Sequence, residues 1–366
     1  MKKIYTALGL MSGTSMDGVD ASIIQTDGKS KYKAILDKYF KYPENIYNDL
    51  TILRDKVKTS TDLKKYQKKI KSVENSITIF HAESVDKILK KTRQNVDFIG
   101  FHGQTIFHNA AVKITKQLGD AKLLSKLTKK KVIYNFRQND LKNGGEGAPL
   151  APIFHEMLQK KFNIKPLSFF NIGGILNRTT IWDDGKVSAA DCGPGMCLID
   201  RWIRTNSKKK YDKNGAIAKS GKVNKKILEK YWNYFIASNL EKKSYDTNDF
   251  SISNVKNLSL KDGAATLTLH TVNFFNAHFQ ANESLKIKEK TILCGGGRKN
   301  KFLVSTIKSF NKDVKLIDDY GIDGDFVESQ AFGYIAIRSY LGLPISFPET
   351  TGCKKPTTGG VIVKNY

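Results

Sequence analysis

A stretch near the N-terminus, residues 8–20, constrains the fold of this 366-residue chain more than any other. Apolar residues run into it and out of it, whereas residues 12–18 are mostly glycine, serine, threonine and aspartate. This pattern predicts two antiparallel strands, residues 3–8 and 19–26, joined by a tight loop. Glycines let a backbone approach a ligand, and N–H groups and hydroxyls at such a loop suit phosphate. An ordinary β-hairpin accounts for the same composition, so the loop alone leaves both interpretations open.

The same loop resembles a protease motif, because residues 13–16 have the sequence Gly-Thr-Ser-Met found around the nucleophile of subtilisin-like enzymes. His102-Gly103 is similar to the histidine segment of those enzymes. In that family the serine follows the histidine, whereas Ser15 precedes His102, and no domain would lie before such a nucleophile. The order of the residues excludes a protease.

The formal net charge of +26 suggests nucleic acid as a partner, but the type of cation argues against it. Only eight of the 61 basic residues are arginine, and arginine is the residue that recognises phosphate through two parallel hydrogen bonds. The lysines are spread along the chain. We therefore expect no dedicated nucleic-acid site, and a basic surface that attracts small anionic ligands.

Cysteine use and hydropathy bound the class of protein further. The four cysteines form no CxxC pair, so neither a disulfide framework nor a zinc site is expected. No run of 18 apolar residues predicts a membrane helix. Ser12 and Asp17 interrupt the apolar N-terminus too early for a signal peptide. These features predict a cytoplasmic protein.

Two predicted strands end in polar side chains. Residues 96–101 are apolar and lead into His102-Gly103-Gln104-Thr105, and residues 132–137 end in Arg137. Open α/β sheets bind ligands at the carboxyl ends of their strands. His102 is equally well explained as a buried core histidine.

Three glycine-containing loops, residues 11–18, 191–195 and 294–298, each follow a predicted strand, and together they favour a nucleotide site over chance connectors. The other elements predicted from apolar periodicity are helices at 61–80 (continuing to 93), from about 153, 197–203, 265–278, 301–310 and 326–341, and strands at 167–172, 187–191, 291–294 and 314–317.

Taken together, the motifs resemble those of the anhydro-N-acetylmuramic acid kinases, a family within the superfamily of actin, sugar kinases and Hsp70-like ATPases. The resemblance spans nearly the whole chain and rests on residues 10–20, 102–105, 135–137, 144–150, 171–174, 191–194, 293–297 and 347–352. It implies an α/β chain with the two-lobed, actin-like (ribonuclease H-like) fold and a central nucleotide cleft. Glu146, Cys192 and Met196 depart from the family pattern, and the last two flank the proposed catalytic residue.

The resemblance also implies a homodimer, whereas predicted phosphate loops in both halves of the chain favour two lobes, with the Gly/Pro-rich segment 144–152 as the candidate crossing between them. The N-terminal lobe is expected over residues 1–136, with residues 345–366 packing back on it, and the C-terminal lobe over residues 137–344. The two lobes are expected to close over ATP and a sugar.

The reaction implied by the resemblance uses ATP and Mg²⁺ to open the 1,6-anhydro bridge of 1,6-anhydro-N-acetylmuramic acid and to phosphorylate O6. Asp191 is the implied base for water. The implied ATP contacts are Gly13, Thr14, Ser15, Met16, Asp17, Gly18, Val19, Asp20, Gly173, Gly174, Gly295, Gly296 and Gly297, with Asp17 also on the magnesium side. The implied sugar contacts are Thr105, Arg137 and Glu328.

Simpler roles compete with these assignments. Asp191 before Gly193-Pro194 suits an Asx-type turn cap, and Arg137 with Glu328 suits a structural ion pair. Two other functions also stay open: a kinase of another anhydro sugar such as levoglucosan, and a non-catalytic ATP-gated binding protein.

Overall fold

Each of the two units into which the chain divides is built on one mixed β-sheet. The computed structural model describes residues 3–13, 15–239, 245 and 247–366, so Thr14, one of the predicted ATP contacts, lies outside the described residues. The first unit comprises Met1–Asn163 and Phe326–Tyr366, and the second comprises Ile164–Asp325. The first unit thus includes residues 137–163 and 326–344, which the sequence-based bounds assign to the C-terminal lobe.

The sheet of the first unit has the order β12-β6-β4-β1-β2-β3, with β5 paired to β4. β1 is antiparallel to β2 and parallel to β4, β2 is antiparallel to β3, and β4 is parallel to β6. Its strands are β1 (Tyr5–Ser12), β2 (Gly18–Thr26), β3 (Tyr32–Lys41), β4 (Phe98–Asn109), β5 (Ile114–Leu118), β6 (Lys131–Tyr134) and β12 (Val361–Val363). Its helices are α1 (Glu44–Lys56), α2 (Ser60–Lys65), α3 (Gln67–Leu89), α4 (Ala121–Thr128), α5 (Gln138–Lys142), α6 (Pro152–Phe162), α12 (Val327–Tyr340) and α13 (Pro348–Thr351).

The sheet of the second unit has the order β11-β10-β7-β8-β9. Its strands are β7 (Leu167–Ile172), β8 (Ile175–Ile181), β9 (Val187–Pro194), β10 (Lys290–Cys294) and β11 (Val314–Leu316). Its helices are α7 (Cys197–Asn206), α8 (Ala216–Lys219), α9 (Lys225–Asn239), α10 (Leu260–Ser284) and α11 (Lys301–Phe310). Short 3₁₀ turns occupy Lys213–Gly215, Thr247–Asp249, Ser253–Val255, Gly296–Lys299 and Ile317–Tyr320.

The two sheets repeat one topology. In each, the first strand pairs antiparallel with the second, the second pairs antiparallel with the third, and two further strands add in parallel beside the first. Three strands in sequence are joined by hairpins, and the parallel additions need the crossovers that helices supply. This duplicated sheet confirms the predicted fold class, an α/β chain on the actin-like plan.

The helix α12 packs closely on the sheet of the first unit. A Cβ atom on Gly9 would lie 1.9 Å from the carbonyl oxygen of Ser329, and one on Gly100 would lie 2.3 Å from that of Phe332. Only glycine permits this approach of strand and helix backbones. The contact fixes the first turn of α12, where Glu328 is exposed.

Several predicted elements need correction. Residues 102–105 do not end their strand, because β4 continues to Asn109 as one arm of a hairpin with β5. Residues 191–194 are likewise part of β9 and not of a loop after it, since they continue the pairing with β8. The long predicted helix is divided into α2 and α3 at Tyr66, whose φ of −101° and ψ of 18° are not helical. In β4 and in β9 the other strand of a hairpin extends the pairing past polar residues and glycines.

Among the described residues, no helix is both long and apolar enough to cross a membrane.

Candidate functional site

The loop between β1 and β2 is closed at its base by hydroxyl groups. The Ser12 hydroxyl donates to the carbonyl oxygen of Gly18 at 2.7 Å, and the Tyr42 hydroxyl lies 2.6 Å from Ser12 Oγ. Because the single Ser12 proton is used, the Tyr42 hydroxyl donates this second bond. The Asp17 carbonyl oxygen accepts from the Tyr42 N–H at 2.8 Å and from the Tyr39 hydroxyl at 2.9 Å. The predicted hairpin is thus present, with a rigid base.

The tip of this loop is anchored to the first unit and exposes two of its side chains to solvent. Gln104 on β4 donates its side-chain amide to the carbonyl oxygen of Gly13 at 3.0 Å. Met16 has a φ of 58° and buries its side chain, which anchors the tip in the core. Ser15 Oγ donates to Asp17 Oδ1 at 2.6 Å, and both side chains are exposed. The loop therefore presents hydroxyl, carboxylate and backbone groups outward.

Not every predicted contact in this segment can be a side-chain contact. Val19 is fully buried in β2, and a Cβ on Gly18 would lie 2.5 Å from the carbonyl oxygen of Phe40. These two residues are explained by the packing of the hairpin itself. Asp20 is half-buried in the same strand.

The glycines of the chain separate into those that packing requires and those that it does not. All 28 lie in the described part of the chain. For most of them a Cβ atom would come closer than 3.4 Å to another atom, or φ lies in the left-handed region. Neither constraint applies at four glycines, and all four lie in predicted nucleotide loops: Gly13, Gly173, Gly174 and Gly296.

The third glycine loop follows β10 and contacts the end of β7. A Cβ on Gly295 would lie 2.2 Å from Asn171 Oδ1, and one on Gly297 would lie 2.3 Å from Ile172 Cγ2. Gly296, between them, is exposed and has no atom within 4 Å of its Cβ position. Packing thus requires Gly295 and Gly297, whereas the middle glycine faces open space.

The turn between β7 and β8 is held by the start of α7. The carbonyl oxygen of Gly173 accepts from the N–H of Met196 at 2.8 Å, and that of Gly174 accepts from the N–H of Gly195 at 3.0 Å. These bonds use backbone groups, so the departure of Met196 from the family pattern leaves them unchanged. The end of β7 therefore brings together three predicted segments: residues 173–174, 191–196 and 295–297.

Asp191 is half-buried in β9 and pairs with Asn177 of β8. Its Oδ2 atom accepts a hydrogen bond from the N–H of Tyr245 at 2.8 Å. Burial and, to a smaller extent, the charge of Asp191 raise the pKa of the Tyr245 hydroxyl. Burial raises the pKa of the neighbouring Cys192 thiol to about 11, so Cys192 is an uncharged neighbour. The backbone N–H of Tyr245 thus helps to hold the carboxylate of Asp191 in place.

Arg137 in the first unit is oriented by a histidine. Its Nε and Nη2 atoms lie 3.1 and 3.0 Å from His102 Nε2, and Nη1 donates to the carbonyl oxygen of Gly147 at 2.8 Å. His102 Nδ1 lies 2.8 Å from the carbonyl oxygen of Gly103, so Nδ1 carries the proton and Nε2 accepts from Arg137. Burial and then the Arg137 cation lower the pKa of His102 well below 6.5, which keeps the ring neutral.

The other two predicted sugar residues lie on neighbouring elements. Burial lowers the pKa of Arg137 to about 10, and the charge of Glu328 acts in the opposite direction, which shows that the two side chains attract each other. Thr105 on β4 accepts a hydrogen bond from Gln117 of β5 at 3.2 Å. The roles of His102, Gln104 and Gln117 were not predicted. The motif at 102–105 indicated this region in the sequence. Its contacts could not be predicted, because they join residues far apart in the chain.

Comparison with known proteins decides the family. The profile of the family described as anhydro-N-acetylmuramic acid kinase matches residues 5–365. The chain belongs to the anhydro-N-acetylmuramic acid kinase family. It is 50% identical to the protein of that name from Pelagibacter ubique (strain HTCC1062) over 375 aligned positions, which cover 100% of both chains. Identity to the protein of the same name is 35% in Brucella canis (strain ATCC 23365 / NCTC 10854 / RM-666) and 36% in Agrobacterium fabrum (strain C58 / ATCC 33970), each covering 100% of both chains.

A solved structure is a more distant match to this member of the anhydro-N-acetylmuramic acid kinase family. The activator of the 2-hydroxyisocaproyl-CoA dehydratase from Clostridium difficile with bound ADPNP is 10% identical, with a TM-score of 0.40. The match covers 92% of this chain and 96% of the other. At that distance the likeness adds nothing to the family assignment. The assignment rests on the family match and the curated relatives, and it confirms the resemblance inferred from the motifs.

The described residues contain no cluster of three histidine, cysteine, aspartate or glutamate side chains that could hold a metal ion. A magnesium ion bound with nucleotide phosphates needs only one or two protein carboxylates, because phosphate oxygens and water supply the other ligands. The exposed carboxylate of Asp17, in the β1–β2 loop, fits that limited role.

Proposed function

We propose that the chain is an ATP-dependent kinase that hydrolytically opens 1,6-anhydro-N-acetylmuramic acid and phosphorylates O6, giving N-acetylmuramic acid 6-phosphate and ADP in peptidoglycan recycling. The family match over residues 5–365 supports the substrate and the reaction. The structural observation that supports the proposal is the position of four glycines. At Gly13, Gly173, Gly174 and Gly296 neither close packing nor a left-handed φ requires glycine, and all four lie in segments assigned to ATP.

ATP binding is proposed at these loops. Gly13 and the exposed Ser15 and Asp17 would contact phosphates from the first unit. Gly296 has open space at its Cβ position, as the close approach of a phosphate or nucleoside requires, whereas a Cβ atom on Gly173 or Gly174 would lie 3.4 Å from a protein atom, at ordinary contact distance. Gly18, Val19, Gly295 and Gly297 would contribute by shaping the loops, since packing already explains these residues.

Asp191 is the proposed base. A water molecule loses its proton to the carboxylate as its oxygen bonds to C1 of the sugar. The C1–O6 bond breaks, and O6 takes the γ-phosphoryl group as the bond to the β-phosphate oxygen of ADP breaks. An inverting glycosidase needs a second carboxylic acid to protonate its leaving oxygen. Here the phosphorus accepts that oxygen, so one carboxylate suffices.

The sugar is proposed to contact Thr105, Arg137 and Glu328. Arg137 would present the N–H groups not used by His102 and Gly147 to the anionic lactyl group or the hydroxyls of the sugar. The electrostatic attraction between Arg137 and Glu328 is compatible with this role, because both charges would then flank the sugar.

Magnesium, subunit number and location are further parts of the proposal. Mg²⁺ would bind beside Asp17 and supply charge compensation for the phosphates. A homodimer in the cytoplasm is proposed from the family resemblance, and sedimentation at monomer mass would refute the dimer.

The test is turnover with ATP, Mg²⁺ and purified anhydro sugars, with products identified by mass spectrometry. We expect ADP and N-acetylmuramic acid 6-phosphate in equal amounts, and no phosphorylated sugar that retains its bridge, since O6 is not free until the bridge breaks. Faster turnover of levoglucosan would replace the proposed substrate. Slow ATP hydrolysis that no sugar stimulates would favour an ATP-gated binding protein.

A further inference from the structure

The side chain of Arg298 follows the third glycine loop and lies at the centre of an acidic segment. It is 6% exposed, and its Nε and Nη2 atoms lie 2.6 and 3.0 Å from the two carboxylate oxygens of Asp318. Its Nη1 atom lies 2.6 Å from Asp325, and Nη2 lies 3.3 Å from Asp323. Three carboxylates of one segment, residues 318–325, thus converge on one guanidinium.

The same guanidinium also holds the nucleotide loop. Nη1 donates to the carbonyl oxygen of Gly295 at 3.2 Å, and the backbone N–H of Arg298 donates to that oxygen at 3.2 Å as well. On its other side the loop abuts Asn171 and Ile172, where the glycine contacts leave no space. The loop is therefore fixed from both sides, with only Gly296 facing outward.

All five N–H groups of Arg298 are used. Nε donates to Asp318, the two Nη1 protons go to Gly295 and Asp325, and the two Nη2 protons go to Asp318 and Asp323. An arginine that binds phosphate presents free donors in a fork. Arg298 has none left for a ligand in this arrangement, so its effect on a nucleotide must pass through the loop.

The charges explain why an arginine is needed. The hydrogen bond from Arg298 lowers the pKa of Asp318, and bonds from Arg298 and Lys299 lower that of Asp325 although burial acts in the opposite direction. Both carboxylates are therefore ionised at neutral pH. A Cβ on Gly324 would lie 2.2 Å from Arg298 Nε, so the segment wraps closely around the cation.

We propose that Arg298 is a positioning residue for nucleotide binding: it fixes residues 295–297 in their ligand-ready conformation by tying them to residues 318–325, without contacting the nucleotide. The inference rests on the proposed function for one point only, the assignment of residues 295–297 to ATP. It adds residues 298, 318, 323 and 325 to the groups that determine ATP affinity.

The test compares Arg298→Lys and Asp318→Asn with the wild type. Lysine keeps the charge but cannot make the two parallel bonds to Asp318, and asparagine removes one charge while Asp323 and Asp325 remain. Asp313→Asn is the matched control, since Asp313 makes an exposed ion pair with Lys290 at 3.0 Å in the same unit. Each variant is measured for thermal unfolding, for the Kd of a non-hydrolysable ATP analogue by calorimetry, and for KM and kcat.

We expect Arg298→Lys to raise the Kd and KM for nucleotide about tenfold while kcat at saturating ATP changes by less than about threefold, because a loosened loop costs binding and leaves the reacting groups in place. Asp318→Asn should show a smaller shift in the same direction, and Asp313→Asn none. If Arg298→Lys does not fold, the Kd of Asp318→Asn decides the question.

Variants that unfold at lower temperature but bind the analogue as tightly as wild type would overturn the proposal, because Arg298 would then be structural only. This failure is distinct from failure of the proposed function. A wild-type protein that binds the analogue but does not phosphorylate an anhydro sugar would refute the proposed function and leave the Arg298 test intact.

Discussion

The two units have the same sheet topology but close their first hairpins in different ways. In the first unit the loop of residues 13–17 is closed by side chains, with Ser12 and Tyr42 at its base. In the second unit the turn is only Gly173-Gly174, and backbone groups at the start of α7 close it. One scaffold thus carries a loop with outward side chains in one unit and a two-glycine turn in the other. The difference teaches that the same sheet can carry connections of different chemistry.

The third strands of the two sheets, β3 and β9, also differ in the groups that they carry. β3 leads to Tyr42, which serves the loop of its own unit through its hydroxyl and its N–H group. β9 carries Asp191, whose carboxylate accepts a hydrogen bond from the backbone N–H of Tyr245. The equivalent strand therefore supports a loop in one unit and presents the proposed base in the other.

The largest predicted effect is that of Asp191→Asn. The substitution is nearly isosteric and keeps an oxygen that accepts from Tyr245, so fold and ATP affinity should be unchanged. Loss of a positioned general base should lower kcat about 10²- to 10⁴-fold. Bridge opening and phosphoryl transfer should decline together, measured by sugar and ADP production in the same samples.

Asp184→Asn is the matched control, since Asp184 accepts a backbone bond from Lys186 at 2.9 Å in the turn before β9. It should retain full activity. Near wild-type turnover by Asp191→Asn would mean that Asp191 is a backbone cap like Asp184 and that the base lies elsewhere.

The next effect is expected in the first unit, at His102→Leu. The change leaves two partly buried N–H groups of Arg137 without their acceptor, at a cost of about 1–3 kcal/mol, or roughly 5- to 150-fold in the KM for the sugar. His102→Gln supplies an acceptor oxygen and should recover part of the loss. His81→Leu removes another buried histidine, whose Nδ1 atom contacts a helix carbonyl oxygen, and should affect stability alone. Equal KM values for the sugar in all three variants would show that His102 has no role in sugar binding.

A smaller effect separates the nucleotide loops of the two units. Alanine at Gly13 or at Gly296 fits the protein without strain, but its methyl group would occupy space proposed for ATP. We expect each substitution to raise the Kd of an ATP analogue about 5- to 30-fold, the equivalent of about 1–2 kcal/mol of steric conflict. Gly185→Ala, at a φ of 83° in the β8–β9 turn, should cost stability and leave the Kd unchanged. An effect at only one of the two loops would show that only that unit's loop contacts the nucleotide.

The sequence predicted elements well where local signals bound them. β7 has the predicted bounds, and so does α11, whose N-cap Asn300 accepts from the Leu303 N–H at 3.0 Å. Prediction failed where strand pairing overrides the local pattern, as in the continuation of β4 along β5. The bond between His102 and Arg137 joins residues 35 positions apart, so no local pattern reveals it. Likewise, only packing distinguishes Gly296 from its neighbours.

A last prediction concerns stability in acid, to which the two units should respond differently because of their buried histidines. Burial lowers the pKa of His81 to about 4 and that of His155 to about 3, and it holds that of His102 well below 6.5. These three buried residues lie in the first unit. In the second unit, burial lowers the pKa of His270 to about 4.

A histidine with a lowered pKa binds fewer protons in the folded state than in the unfolded state. The free energy of unfolding therefore decreases as the pH falls from about 6.5 towards 4, by at most about 1.4 kcal/mol per pH unit for each such residue. Three such residues act in the first unit and one in the second. The lowered pKa values of Asp318 and Asp325 keep these carboxylates of the second unit ionised through most of this window. The first unit should lose stability at a higher pH.

The tryptophans allow the comparison to be measured, because Trp182, Trp202 and Trp232 all lie in the second unit. In an acid titration, amide hydrogen exchange in residues 3–163 should accelerate at a higher pH than the change in tryptophan fluorescence. His155→Gln should shift the first transition to lower pH and leave the tryptophan transition in place, since it removes one of the titrating groups of the first unit only. Coincident transitions in the wild type would mean that the chain unfolds as one cooperative unit, and an earlier tryptophan transition would assign the weaker acid resistance to the second unit.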